Sequence, residues 1–170
     1  MAFAFGSGPA LACERDPFLF QLPGETEADA NERSDNVRAA FRAIEHANRE
    51  SYAVQNSTLI YLARVVLKTP GRSTSAERNL PSTRVRPLAS LKGTFASADR
   101  TLTDEAASGM CTDIGDGQGA LSGVGKLVVV FEGLPKTSER PRGIDSFEAG
   151  SIRTVPLLDW LRGHGKDLEN

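Results

Sequence analysis

The stretch from Gly125 to Gly133, Gly-Lys-Leu-Val-Val-Val-Phe-Glu-Gly, constrains this chain more than any other. Five apolar β-formers stand in a row, a glycine closes each end, and Pro135 follows just beyond. A continuous apolar run this short, bounded by breakers, predicts a strand covered on both faces rather than a helix. Consecutive valines favour the pleated surface, where their stiff χ1 is no handicap. This segment is the candidate central strand.

A second strand is predicted over Leu59–Leu67, with Leu59, Tyr61, Ala63, Val65 and Leu67 on one face and Ile60, Leu62, Arg64 and Val66 on the other. A third runs over Ser82–Gly93, where Pro87 removes a ladder donor and so belongs at a bulge or an edge. Weaker strand signals sit at Arg100–Thr103 and Ser146–Phe147, and Phe18–Leu22 reads as an edge strand or strap between two prolines. From Asp35 to about Ala53 the pattern turns helical. Val37, Ala40, Phe41, Ile44 and Ala47 form one apolar stripe, and Arg38, Arg42, Glu45, Arg49 and Glu50 take the other face. A short closing helix is expected after Pro156, with Leu157, Trp160 and Leu161 together.

At 170 residues the chain is long enough for one domain with one core. Twenty Lys and Arg against 22 Asp and Glu leave a formal charge of -2, with both signs mixed along the chain. No basic face and no interleaving of aromatic with basic residues is expected, which argues against a nucleic-acid partner. No apolar run reaches membrane-spanning length, so no transmembrane segment is expected.

Cys13 and Cys111 are the only cysteines. In an exported protein they suggest one disulfide; in a cytosolic one, two separate thiols. The opening favours export, because Ala10-Leu-Ala12 is an A-x-A cleavage signature directly before Cys13. A basic n-region and a longer apolar stretch are missing, so residues 1–12 read as the tail of a signal peptide that begins upstream of Met1. Lipidation of Cys13 is the less favoured alternative, since Ala10 and Leu11 stand in an unusual order for a lipoprotein signal. A Cys13–Cys111 bridge would close a loop of about 99 residues, worth roughly 4–5 kcal/mol in the chain-entropy view.

Other chemical signals are thin. Asp113 and Asp116 with their neighbouring glycines lack the ligand spacing of a calcium loop, and no Lys-Ser/Thr follows to make a phosphate loop. His46 reads as a surface residue and His164 as part of the tail; two histidines and two distant cysteines make a poor zinc site. Cys111 as a nucleophile competes with Cys111 as half of a disulfide, and the disulfide is favoured. No cofactor, no metal and no enzymatic activity is expected.

The order of parts resembles the netrin-like family, which includes the inhibitory domain of tissue inhibitors of metalloproteinases. The residues that carry the resemblance are the leading Cys13, the Leu59–Leu67 strand, Leu91-Lys92-Gly93, Cys111 in its glycine-containing loop, Gly125–Phe131 and the tail Ser151–Leu157. The resemblance implies a β-rich α+β fold: a five-stranded OB-like Greek-key barrel with one N-terminal amphipathic helix and one C-terminal helix. Residues 13–165 would be that single domain, and 166–170 a tail. It also implies a secreted or periplasmic, monomeric, protein-binding module, with Cys13, Glu14 and Arg15 at the partner contact. In the eukaryotic inhibitors the free amine and carbonyl of the mature N-terminal Cys chelate the catalytic zinc of a protease. Here Glu14-Arg15 replaces a second nearby Cys, and Ile152 stands where related tails often carry another. The alternative reading is a lipid-anchored or periplasmic envelope protein.

Overall fold

Thr26 and Asp29 start the first helix. The Asp29 amide donates to Thr26 Oγ1 (3.2 Å), and the Thr26 amide donates to Asp29 Oδ2 (3.3 Å). This reciprocal capping box satisfies two amides that a helix start leaves orphaned. Helix α1 therefore runs over Glu27–Asn56, a full two turns earlier than the apolar periodicity predicts. The computed structural model describes residues 21–73, 78–103, 116–138 and 140–163. Two compact units divide at His46–Ala47.

In the first unit, Glu25 accepts from the Leu22 amide (2.8 Å) and receives both Nε and Nη2 of Arg33 (2.9 and 3.0 Å). The expected apolar stripe is not the buried line of the helix. Phe41 and Ile44 are 57% and 60% exposed, whereas Ala30 and Ser34 are buried and Val37 is half-buried. Periodicity marks which residues share a face; it does not say what covers that face.

The second unit is built on an antiparallel sheet. Its strands are β1 (Leu59–Thr69), β4 (Ser82–Lys92), β5 (Arg100–Thr103), β6 (Leu127–Glu132) and β7 (Ile144–Glu148), in the spatial order β5-β4-β1-β6-β7. A two-stranded extension, β2 (Arg72–Ser73) with β3 (Arg78–Asn79), continues the β1–β4 hairpin. The valine-rich run is β6, an interior strand whose Val128, Val129, Val130 and Phe131 are all fully buried. The middle place in the sheet belongs to β1.

Both sheet faces carry a core, as the alternation in β1 predicts. On one face Ile60, Leu62, Val129, Phe131 and Phe147 pack with Ala53 from the last turns of α1 and Leu157 of α2 (Val155–Gly163). Phe131 and Phe147 meet edge-to-face at 5.6 Å. On the other, Tyr61, Ala63, Val65, Val85, Leu102 and Val130 pack together, with Ala120 from the 3-10 turn Gln118–Leu121.

The β1–β4 ladder shifts register three times, skipping Leu91, Leu88 and Val66. Each bulge adds local twist and bends its strand, so three within one hairpin coil the sheet strongly. Pro87 stands beside the bulged Leu88, where its missing N–H does no harm, and Leu88 is turned out to solvent at 41% exposure. Backbone pairing leaves the sheet open, since β5 and β7 share no ladder. Side chains and a connecting segment span that gap instead. The Asp116 amide donates to the Thr103 carbonyl of β5 (2.9 Å), and the Asp116 carbonyl accepts the Ser146 hydroxyl of β7. Arg142 Nη2 donates to the Thr101 carbonyl (3.2 Å).

Candidate functional site

Titratable side chains gather where the sheet edges approach. Asp116, almost fully buried, accepts the Thr103 amide (2.7 Å) and Arg142 Nη1 (2.6 Å). Burial raises its pKa above the ordinary aspartate value; the Thr103 amide and Arg142 oppose that, and Asp145 adds to it. Tyr61 donates its hydroxyl to Glu132 Oε1 (2.7 Å). Burial first, and the Glu132 carboxylate second, push its pKa far up, so it stays a protonated donor at any ordinary pH. Arg100 Nε lies 4.0 Å from Glu132 Oε1 and makes no hydrogen bond.

Beside this cluster, Asp145 is fully buried and held by Arg49 through two bonds of 2.7 and 3.0 Å, and by its neighbouring Ser146 amide (2.8 Å). The Arg49 guanidinium also lies over the Phe147 ring, and that of Arg140 over Tyr52 at 4.7 Å. Glu50, also fully buried, accepts the amides of Arg153 (2.9 Å) and Thr154 (2.6 Å) just ahead of α2. It fills the positive end of that helix with a charge from α1. Each of these carboxylates accepts from an arginine, a phenol or an amide, and those bonds tie the surrounding elements together.

The surface at the other end of the β1–β4 hairpin is different. A groove of about 390 Å³ is lined by Lys68, Pro70, Gly71, Pro81, Ala120 and Leu121, among others. Lys68 Nζ donates to the Leu121 carbonyl (2.6 Å) at its rim. Leu67, Leu121 and Val124 are exposed at 42%, 55% and 64%. Gly125 and Lys126 bond to the backbone of Val65, which brings Val124 to the end of β1 beside Leu67.

The outer face of the same hairpin is basic, contrary to the mixed charge pattern of the linear sequence. Arg64 pairs directly with Arg86 across the ladder, and Arg84 stands on the same face of β4. Asp99 lies among them, accepting from Arg86 (3.0 Å) with Arg84 at 3.6 Å. The Arg86 bond holds the Asp99 carboxyl below its ordinary pKa. Like charges placed opposite each other on a sheet oppose its stability. Between Leu59 and Thr103 the sequence holds six arginines and two lysines but only Glu77 and Asp99, a local surplus of six positive charges in a chain of net -2. The alternation Arg84-Val85-Arg86 and that local count were the available signals.

Cys13, Glu14, Arg15, Cys111, Asp113 and His164 lie outside the described residues, as does most of the expected Phe18–Leu22 strand. Asp116, the other half of the acidic loop, has its carboxylate committed to Arg142 and Thr103. Among the described residues no cluster of three His, Cys, Asp or Glu could hold a metal, and no helix is long and apolar enough to cross a membrane. No family model, curated protein or solved structure matches the chain, and the netrin-like resemblance rests on its sequence motifs.

Proposed function

We propose that this chain is an exported, non-enzymatic binding module that takes a polypeptide partner at the foot of the β2–β3 hairpin. The observation that carries this reading is the groove there, apolar in its lining, with the Leu121 of that lining 55% exposed. Exposed apolar surface gathered in a groove marks interaction sites, and the groove volume lies within the usual range for binding clefts.

The scaffold of this reading is an OB-type barrel. The spatial order β6-β1-β4-β5 supports it: three consecutive major strands lie side by side and the fourth returns beside the first, as in a Greek key. The bonds from Asp116 and Arg142 across the β5–β7 gap support it further. Fold alone would not license the function; the groove does that.

A photo-crosslinking amino acid placed at Leu121, with a second variant carrying it at Val155 on α2 as control, tests the proposal. Saturable capture of one polypeptide at Leu121 but not at Val155 is expected. Equal capture at both positions, or none at either, would overturn it.

A further inference from the structure

We infer that helix α1 pairs with the α1 of a second copy of this chain, antiparallel, about a two-fold axis at Phe41. This goes beyond the proposed function and does not depend on the groove; it gives a dimer where the netrin-like resemblance implies a monomer. Every residue from Ala39 to Glu45 is exposed, about two turns of unbroken helix. On one side stand Phe41 and Ile44, each more than half exposed, and half-buried Val37 lies one turn before Phe41. Separations of three, four and seven residues put all three on one face. An apolar stripe on a helix is stabilised when another element covers it.

The charges beside the stripe identify the cover. Arg38 and Glu45 lie seven residues apart, so they share one flank of the stripe, with Phe41 between them. In an antiparallel two-fold pair the same flank of each helix meets itself, and every contact occurs twice. With the axis at Phe41 the two Phe41 rings meet. Val37 and Arg38 then each lie within one residue, about 1.5 Å, of the level of the second copy's Ile44 and Glu45. Apolar cover and charge match come from a single register, and charges flanking a helix pair fix its partner and orientation. A parallel pair would instead set Arg38 against the opposite flank, where Asn36 and Ala40 stand and neither is charged. Arg38 also donates to Asp35 of its own helix (3.2 Å), an exposed pair; its guanidinium has N–H groups enough to serve a second carboxylate.

Sedimentation velocity on the full chain, from about 1 µM to about 1 mM, should show the 18.2 kDa monomer giving way to a dimer, with a midpoint on the order of 10–100 µM for a contact this small. Arg38→Glu and Glu45→Arg each set like charges opposite one another at both ends of the pair, and each should weaken it about tenfold or more. Both exchange one good helix former for another, so melting curves taken at low concentration should match that of the unaltered chain. Mixing the two variants should restore pairing, as should the double variant Arg38→Glu, Glu45→Arg, because opposite charges then face each other again in the antiparallel register. Phe41→Ala should weaken pairing about tenfold or more and leave the dilute melting curve in place. A monomer throughout that concentration range, a dimer indifferent to either charge variant, or failure of the mixture to recover pairing would each overturn the inference.

Discussion

Gly117 sits where the segment from β5 crosses onto the edge of β7, and replacing it by alanine probes whether that crossing holds the sheet edges together. Its φ is +87°, and a methyl group there would overlap the Asp145 carboxylate and the Ser146 backbone. With ψ at -178° this is extended backbone at positive φ, a region essentially kept to glycine, and a residue with a side chain there costs about 1–3 kcal/mol. Displacing a packed backbone neighbour adds about 1–3 kcal/mol. Gly117→Ala should therefore lose about 2–6 kcal/mol in urea denaturation. Gly125→Ala is the control for a positive φ without a clash: its φ is +86°, and nothing lies within 4 Å of the added methyl. It should lose only the backbone contribution, about 1–3 kcal/mol. The larger loss at Gly117 reports the contact with β7. Equal losses would refute the reasoning, because the crossing segment would then be free to move away at no cost.

The buried pair Arg49–Asp145 should be asymmetric. Arg49→Met leaves a fully buried carboxylate short of its main partner and is expected to lose about 3 kcal/mol or more by denaturant titration. Tyr61→Phe, which strips Glu132 of its phenol donor, should lose about 1–2 kcal/mol by the same measurement. Carboxyl titrations followed by NMR should separate Asp116 from Asp99. With its pKa raised, Asp116 favours the fold most below the ordinary aspartate value, and that contribution is lost as pH rises through its native pKa. Asp99, with its pKa lowered, contributes above its ordinary value and loses that contribution as pH falls through the native one. A midpoint for Asp99 at or above that of Asp116 would contradict at least one of the two assignments.

Strands β1 and β6 were legible because apolar runs bounded by breakers have few other uses, and the two faces of β1 separated as the alternation required. The start of α1 was legible too, in Thr26-Glu-Ala-Asp29, but a capping box is easily passed over when apolar periodicity begins ten residues later. The fate of Phe41 and Ile44 was not legible, since a helix pattern contains no information about its cover. Bulges at Leu88 and Leu91 shift partners without changing composition, so register escaped as well. The basic face was hidden for a related reason. Arg64 and Arg86 are 22 positions apart in sequence and directly opposite in the sheet, and only the ladder makes them neighbours. The interior pairs Arg49–Asp145 and Arg142–Asp116 join residues separated by 96 and 26 positions, which no local pattern reveals.

The hairpin's surplus of positive charge also bears on how quickly anything could find this protein. An isoelectric point near 5.7 describes an acidic molecule to a distant observer. Within a Debye length, about 8 Å at physiological salt, the sum no longer matters and the hairpin presents its own field. A negatively charged body drifting close would be turned toward that ribbon before touching it, which narrows the rotational search that slows most encounters. Association should then be fast in dilute buffer and slow markedly as salt is added, while dissociation, governed by contacts already made, changes much less.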